Sequence, residues 1–184
     1  VFANNMWWLP ILVNKGDLDY YLVRPVSSLF FLSLRDFAAN SFINLVIALG
    51  IAAWAILRYP LSLPPEQLVV YGLLILNGAF LYYVIHICFL IPVFWLHSAR
   101  GLGEVFFAVQ KYAERPEKIF QGYVRRALVT VLPFSLIASV PAQVLFEGLT
   151  PRILLHVVGV SSLAFAVLVS FWRRALASYS SASS

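Results

Sequence analysis

"LVVYGLLILNGAFLYYVIHICFLIPVFWL" runs from Leu68 to Leu96 without one Asp, Glu, Lys or Arg. A bilayer core about 30 Å thick needs about 20 apolar residues in a helix, so this stretch crosses a membrane with residues to spare for tilt or for emerging into the interface. The rest of the chain follows suit. Of its 184 residues, 61% are hydrophobic and only 11% charged, with a mean hydropathy of +0.86. A soluble domain carries about 25% charged residues, so this chain is built for lipid.

Three further stretches match the first. They are "AANSFINLVIALGIAAWAIL" (Ala38–Leu57), "ALVTVLPFSLIASVPAQVLF" (Ala127–Phe146) and "ILLHVVGVSSLAFAVLVSFW" (Ile153–Trp172). None alternates as a membrane barrel strand does, and lipid leaves the backbone no other partner than itself. The expectation is therefore an all-α polytopic helix bundle with four full transmembrane helices. "VFANNMWWLPILV" before Asn14 is too short to span and reads as the end of an earlier helix. The opening has no basic start and no signal-peptide cleavage site. We expect a hydrophobic portion to precede it.

Basic residues set the topology. Lys15, Arg24 and Arg35 lie in one connection, Arg100, Lys111, Arg115, Lys118, Arg125 and Arg126 in another, and Arg173 and Arg174 in the tail. Alternation puts these eleven on one side and leaves Arg58 and Arg152 on the other. The segment 14–36, the loop 97–126 and the C-terminus are thus expected in the cytoplasm. Dispersion along membrane edges fits anionic head groups; a nucleic-acid surface needs one basic patch with interleaved aromatics.

No catalytic constellation is visible. There is no HExxH, GxSxG or GxxxxGK[ST], and the single Cys88 offers neither a disulfide nor a thiolate metal site. His86 and His156 lie within spans without a carboxylate at helical spacing, so packing or interhelical bonding accounts for them better than a proton relay does. Asn44, Asn77 and Gln143 read as polar contacts between helices, and the Trp residues as an interfacial belt. No full span carries a deep Asp, Glu, Lys or Arg, which argues against a proton- or sodium-coupled carrier. Pro133 and Pro141 are candidate kinks along a pathway, each lacking a backbone donor. Beyond Pro141 the chain either continues the span or folds back as a re-entrant helix.

The polar interruption "NKGDLDYYLVRPVSSLF" (Asn14–Phe30) remains. Gly16 stops the incoming helix, Asp17 and Asp19 suit a helix start, and Leu18, Tyr21, Leu22 and Pro25 form a stripe at i, i+3, i+4 and i+7. The pattern predicts a short amphipathic helix along the membrane, broken at Arg24–Pro25.

"GDLDYYLVRPVSSLF" resembles the Gly-x-Leu-Asp-x-x-Leu-x-Arg-Pro segment of type-2 ATP-binding-cassette (ABC) exporter permeases, most closely a bacterial six-helix subfamily of uncharacterised transport permeases. "YAERPEKIFQGYVRRAL", "LPFSLIASVPAQVLFEG" and "FWRRALASYSSASS" are similar, in order, to its second cytoplasmic loop, its proline-bearing fifth span and its ending; "AERPEKIF" is longer than the turn such loops have. The resemblance covers nearly all of the chain. It implies one permease domain, 1–184, lacking the first span and most of the second. It also implies a second permease subunit, identical or related, a dimer of cytoplasmic ABC ATPases holding ATP and Mg, and residence in the bacterial inner membrane. On it, Gly16, Asp17, Leu18, Asp19, Leu22, Arg24 and Pro25 form the coupling helix against the ATPase. This chain itself would bind no cofactor or metal and catalyse nothing. A non-transporting membrane scaffold that recruits a cytoplasmic partner shares the docking helix and stays open at this point; the substrate is not legible.

Overall fold

A computed structural model of the chain describes residues 5–35, 39–58, 63–96, 99–113 and 133–179. Among them there is no strand. We number the helices α1 (Leu9–Lys15), α2 (Asp19–Leu22), α3 (Ser28–Ser33), α4 (Ala39–Arg58), α5 (Pro65–Leu90), α6 (Val93–Leu96), α7 (Ala99–Ala113), α8 (Ser139–Glu147) and α9 (Pro151–Ser178).

Among the described residues, three helical stretches are long and apolar enough to cross a membrane: Ser41–Arg58, Pro65–Leu96 and Pro151–Ser178. They correspond to the first, second and fourth spans expected from the sequence. The second is α5 continued through Ile91 and Pro92 into α6. Its 32 residues reach about 48 Å at 1.5 Å each, well beyond the hydrocarbon core. No described side chain of α4 is buried. In water that would be an anomaly; in lipid an apolar helix needs no protein cover.

The remaining expected span, Ala127–Phe146, falls outside the described residues up to 132. Its described part is broken. Pro133 starts a 3-10 turn over Phe134–Leu136, and the nine-residue α8 follows, with Pro141 in its first turn. A first-turn proline costs no hydrogen bond, so Pro141 introduces no kink here, and the irregular backbone lies at Pro133–Ala138. The chain then continues its course instead of folding back at Pro141. Ile137 lies against Gly78 and Gly148 beside the Gln67 side chain, so the stretch runs antiparallel to α5 from its middle to its Gln67 end.

Gly148 makes the reversal, at φ 83 and ψ 166, a conformation almost confined to glycine. Thr150 then caps α9, its Oγ1 accepting from the Ile153 N–H at 3.3 Å, with Pro151 opening the first turn. From there α9 runs parallel to α5. Ser161 Oγ donates to Asn77 Oδ1 at 2.9 Å, Phe165 meets Phe80 and Trp172 meets Phe94. The Asn77 contact is the interhelical bond expected of it. Gln143 instead donates locally to Glu147.

Two cores result. One, at the Gln67 end, joins α5, α8 and α9 through Leu74, Leu81, Leu136, Val144 and Val157. The larger, at the opposite end, joins α1, α5, α6 and α9 through Met6, Leu9, Ile87, Leu90, Leu168 and Trp172.

Gly78 fixes how closely the broken stretch approaches α5, because a Cβ there would lie 2.9 Å from the Ile137 carbonyl oxygen. Backbone cannot swing aside as a side chain can. Gly78→Ala should lower stability by about 1–3 kcal/mol, read as a fall in the melting temperature in detergent. Gly72→Ala, with nothing within 4 Å, should be neutral or stabilising by up to about 1 kcal/mol. Equal effects at the two positions would contradict this packing.

Candidate functional site

The polar interruption folds onto the larger core. Gly16 ends α1 in the left-handed conformation, φ 79 and ψ 1, which glycine adopts without the steric cost of a Cβ. Its N–H bonds the Val13 carbonyl at 3.3 Å. A turn carries the chain to α2, which is a single turn of helix. Pro25 disfavours helical backbone at Arg24, and the chain bends over Arg24–Val26. Ser27 then caps α3, its Oγ accepting from the Phe30 N–H at 3.4 Å.

The four-residue stripe predicted from the sequence divides. Leu18 is fully buried and Tyr21 packs against the same core, whereas Leu22 and Pro25 are exposed. One turn of helix cannot hold i and i+7 on one face, so the apolar anchor ends at Tyr21. Asp17 and Arg24 are exposed, and Asp19 is half-buried. The Arg24 guanidinium lies 4.6 Å from the centroid of Phe31, a cation–π contact within the segment itself. Tyr20 and Val23, 74% and 83% exposed, complete an outward face.

What holds the segment was not legible as a motif. The buried Asn5 donates through Nδ2 to the Ser33 carbonyl at 2.7 Å. Ser33 Oγ donates to the Leu29 carbonyl at 2.6 Å and lies 2.5 Å from the Tyr83 hydroxyl. With its own proton committed, Ser33 accepts from Tyr83. Trp172 Nε1 donates to Ser28 Oγ at 3.3 Å. Trp172 is thus a buried anchor and not a member of an interfacial belt. These bonds join residues far apart in sequence, so no local pattern announces them.

The end of α9 adds one more contact. Tyr179 packs against Phe94, and its buried hydroxyl faces Asp19. Burial first, then the negative charges of Asp19 and Asp17 nearby, hold its pKa above the usual 10.0.

Behind the segment, α7 occupies part of the connection expected over 97–126; residues 114–126 lie outside the described set. Its Phe106 is fully buried and stacks on His86 at 4.5 Å, while Trp7 covers His86 at 4.9 Å. Tyr82 donates to Gln110 Oε1 at 3.3 Å. His86 is thus a packing residue, as its sequence context suggested, and His156 is exposed on α9.

The charges fall at two ends. Lys15, Arg24, Arg173 and Arg174 flank the Trp172 end, where the segment lies; Arg152 marks the opposite end, at the start of α9. A raised phenol pKa means that the folded state keeps its proton longer than the unfolded one, so the contact stabilises fully below about pH 10 and fades as pH rises through the folded value. The difference in tyrosinate absorbance between the wild type and Tyr179→Phe should therefore titrate above pH 10. A midpoint at or below 10 would contradict the Asp19 contact.

A family model described as "ABC-2 family transporter protein" matches residues 1–183. No curated protein and no solved structure matches the chain.

Proposed function

The chain belongs to the ABC-2 transporter family, and from that premise we propose that it is the permease subunit of an ATP-driven exporter, driven through the segment Gly16–Pro25. Membership makes it a multi-pass membrane component of an ABC transporter, in a family whose permeases carry no catalytic activity of their own and work with an ABC ATPase. In the proposed assembly it pairs with a second permease subunit, identical or related, above two cytoplasmic ATPases that hold ATP and Mg. The membrane is the bacterial inner membrane, with the segment and the C-terminus in the cytoplasm. Export as the direction rests on the family resemblance.

The observation that carries this reading is the two-faced build of the segment taken together with α3, which follows it. Its inner face is fixed, with Leu18 in the core, Ser28 bonded to Trp172 and Ser33 bonded to Tyr83. Its outer face presents Asp17, Tyr20, Leu22, Val23, Arg24 and Pro25. Leu18 therefore anchors the segment, and the partner meets the residues around it. A tethered element converts a push on its outer face into displacement of α5 and α9 as bodies, because packed interiors transmit strain and do not absorb it. The basic flanks of the Trp172 end favour its cytoplasmic placement. Pro133–Ala138, irregular backbone held against Gly78, is where a pathway through the bundle would meet a break in the helix.

Val23→Asp changes only an exposed side chain and Arg24→Glu also gives up the contact with Phe31, so stability should move by no more than about 1 kcal/mol. Copurification of the ABC ATPase with the tagged chain should fall about tenfold or more, the equivalent of about 1.4 kcal/mol. Wild-type recovery of the ATPase by both variants would remove the segment from the interface.

A further inference from the structure

The short helix α3, six residues long, takes a hydrogen bond from each of the two long helices that pack on one another. Trp172 of α9 donates to Ser28, its first residue, at 3.3 Å, and Tyr83 of α5 donates to Ser33, its last, at 2.5 Å. At 3.6 residues per turn these two positions stand about 140° apart around the helix axis. Leu29 and Leu32, the residues of α3 that pack on the larger core, fall inside that arc, at about 100° and about 40° from Ser28. The buried face of α3 is thus apolar along its middle and tied at both edges, to α9 on one side and to α5 on the other.

The outward side gives that face a handle. Phe31 lies outside the arc, about 60° beyond the Ser28 edge. Its ring meets Tyr21 at 5.7 Å and the Arg24 guanidinium at 4.6 Å, so a displacement of α2 acts on α3 off its axis. Beyond the Ser33 edge the packing is open. A groove of about 460 Å³ separates Phe30 and Leu34 from Leu76 and Phe80 of α5, which leaves α3 room to roll. A helix that rolls over a core moves the two edges of its buried face in opposite senses, one going in as the other comes out.

We propose that α3 is a rocker, which turns a push on the segment into opposite displacements of α5 and α9, with Tyr83 and Trp172 as its positioning residues. Sliding of the two long helices is taken up where they border the groove, at the Asn77–Ser161 bond and the tilted Phe80–Phe165 contact at 5.8 Å. Helices at such contacts shift by about 1–2 Å in switching proteins. The inference rests on the coupling reading of the segment and goes beyond it in setting the two helices against each other.

Spin-label distances test it. In a Cys88→Ser background, labels replace Leu73 on α5 and Leu163 on α9, 61% and 65% exposed, in the full chain bound to its ABC ATPase in lipid nanodiscs. A non-hydrolysable ATP analogue should change the distance between them by about 2 Å or more. Ser28→Ala and Tyr83→Phe each delete one hydroxyl and add no bulk. Each should lose most of the change while recovering the ATPase as the wild type does. Ser170→Ala, whose hydroxyl bonds the Ala166 carbonyl within α9, should keep all of it. An unchanged distance in the ATPase-bound wild type, or a change that survives both variants, would overturn the rocker and leave the coupling reading standing. A wild type that recovers no ATPase would remove the coupling reading and the rocker with it.

Discussion

Ser33 is where the segment becomes part of the bundle. Its carbonyl accepts from Asn5, its hydroxyl donates within α3 and accepts from Tyr83, and it is 5% exposed. Each of these groups would be costly if buried alone, since an unmet polar group loses about 1–3 kcal/mol of solvation without return. Satisfied together, they make one position of α3 favourable and neighbouring positions unfavourable. The core then needs only Leu18 and Tyr21 to hold the other side of the segment, while Tyr20, Val23 and Arg24 face outward.

The two ends of the bundle are built differently for a related reason. At the Gln67 end, α8 and α9 meet α5 through aliphatic side chains and one polar pair, and glycine at 78 and 148 sets close approach and reversal. Lipid offers no hydrophobic drive between helices, so close packing and sparse polar contacts decide the arrangement. At the Trp172 end, aromatic rings, hydroxyls and cations carry the contacts: Trp172 on Ser28, Phe94 on Tyr179, Trp7 and Phe106 on His86. On the proposed coupling, force would enter at an end of this kind and α5 and α9 would carry it across.

Composition and the distribution of Lys and Arg made the membrane class legible, and α4, α5 and α9 fall where the apolar runs placed them. The segment 14–36 stood out because it packs Lys15, Asp17, Asp19 and Arg24 beside Gly16 and Pro25 in a short break between apolar runs. Its internal shape was less legible. The spacing of Leu18, Tyr21, Leu22 and Pro25 reads as a longer amphipathic helix, yet Gly16 and Pro25 leave room for only one turn. Prolines misled similarly: Pro133 and Pro141 look equivalent in sequence, but one precedes an irregular stretch and the other enters a helix where its missing donor is free of cost. Asn5, Ser28, Ser33 and Trp172 act through partners 28 to 144 residues away, and only the folded chain brings them together.

The most direct measurement concerns the outer face of the segment. A Tyr20→Cys variant, made in a Cys88→Ser background, is exposed to a membrane-impermeant maleimide in oriented vesicles. Labelling from the cytoplasmic side alone, strong after the ATPase has been stripped away and suppressed when it is bound, is what a docked coupling segment predicts. Labelling from the external side, or labelling indifferent to the ATPase, would contradict it.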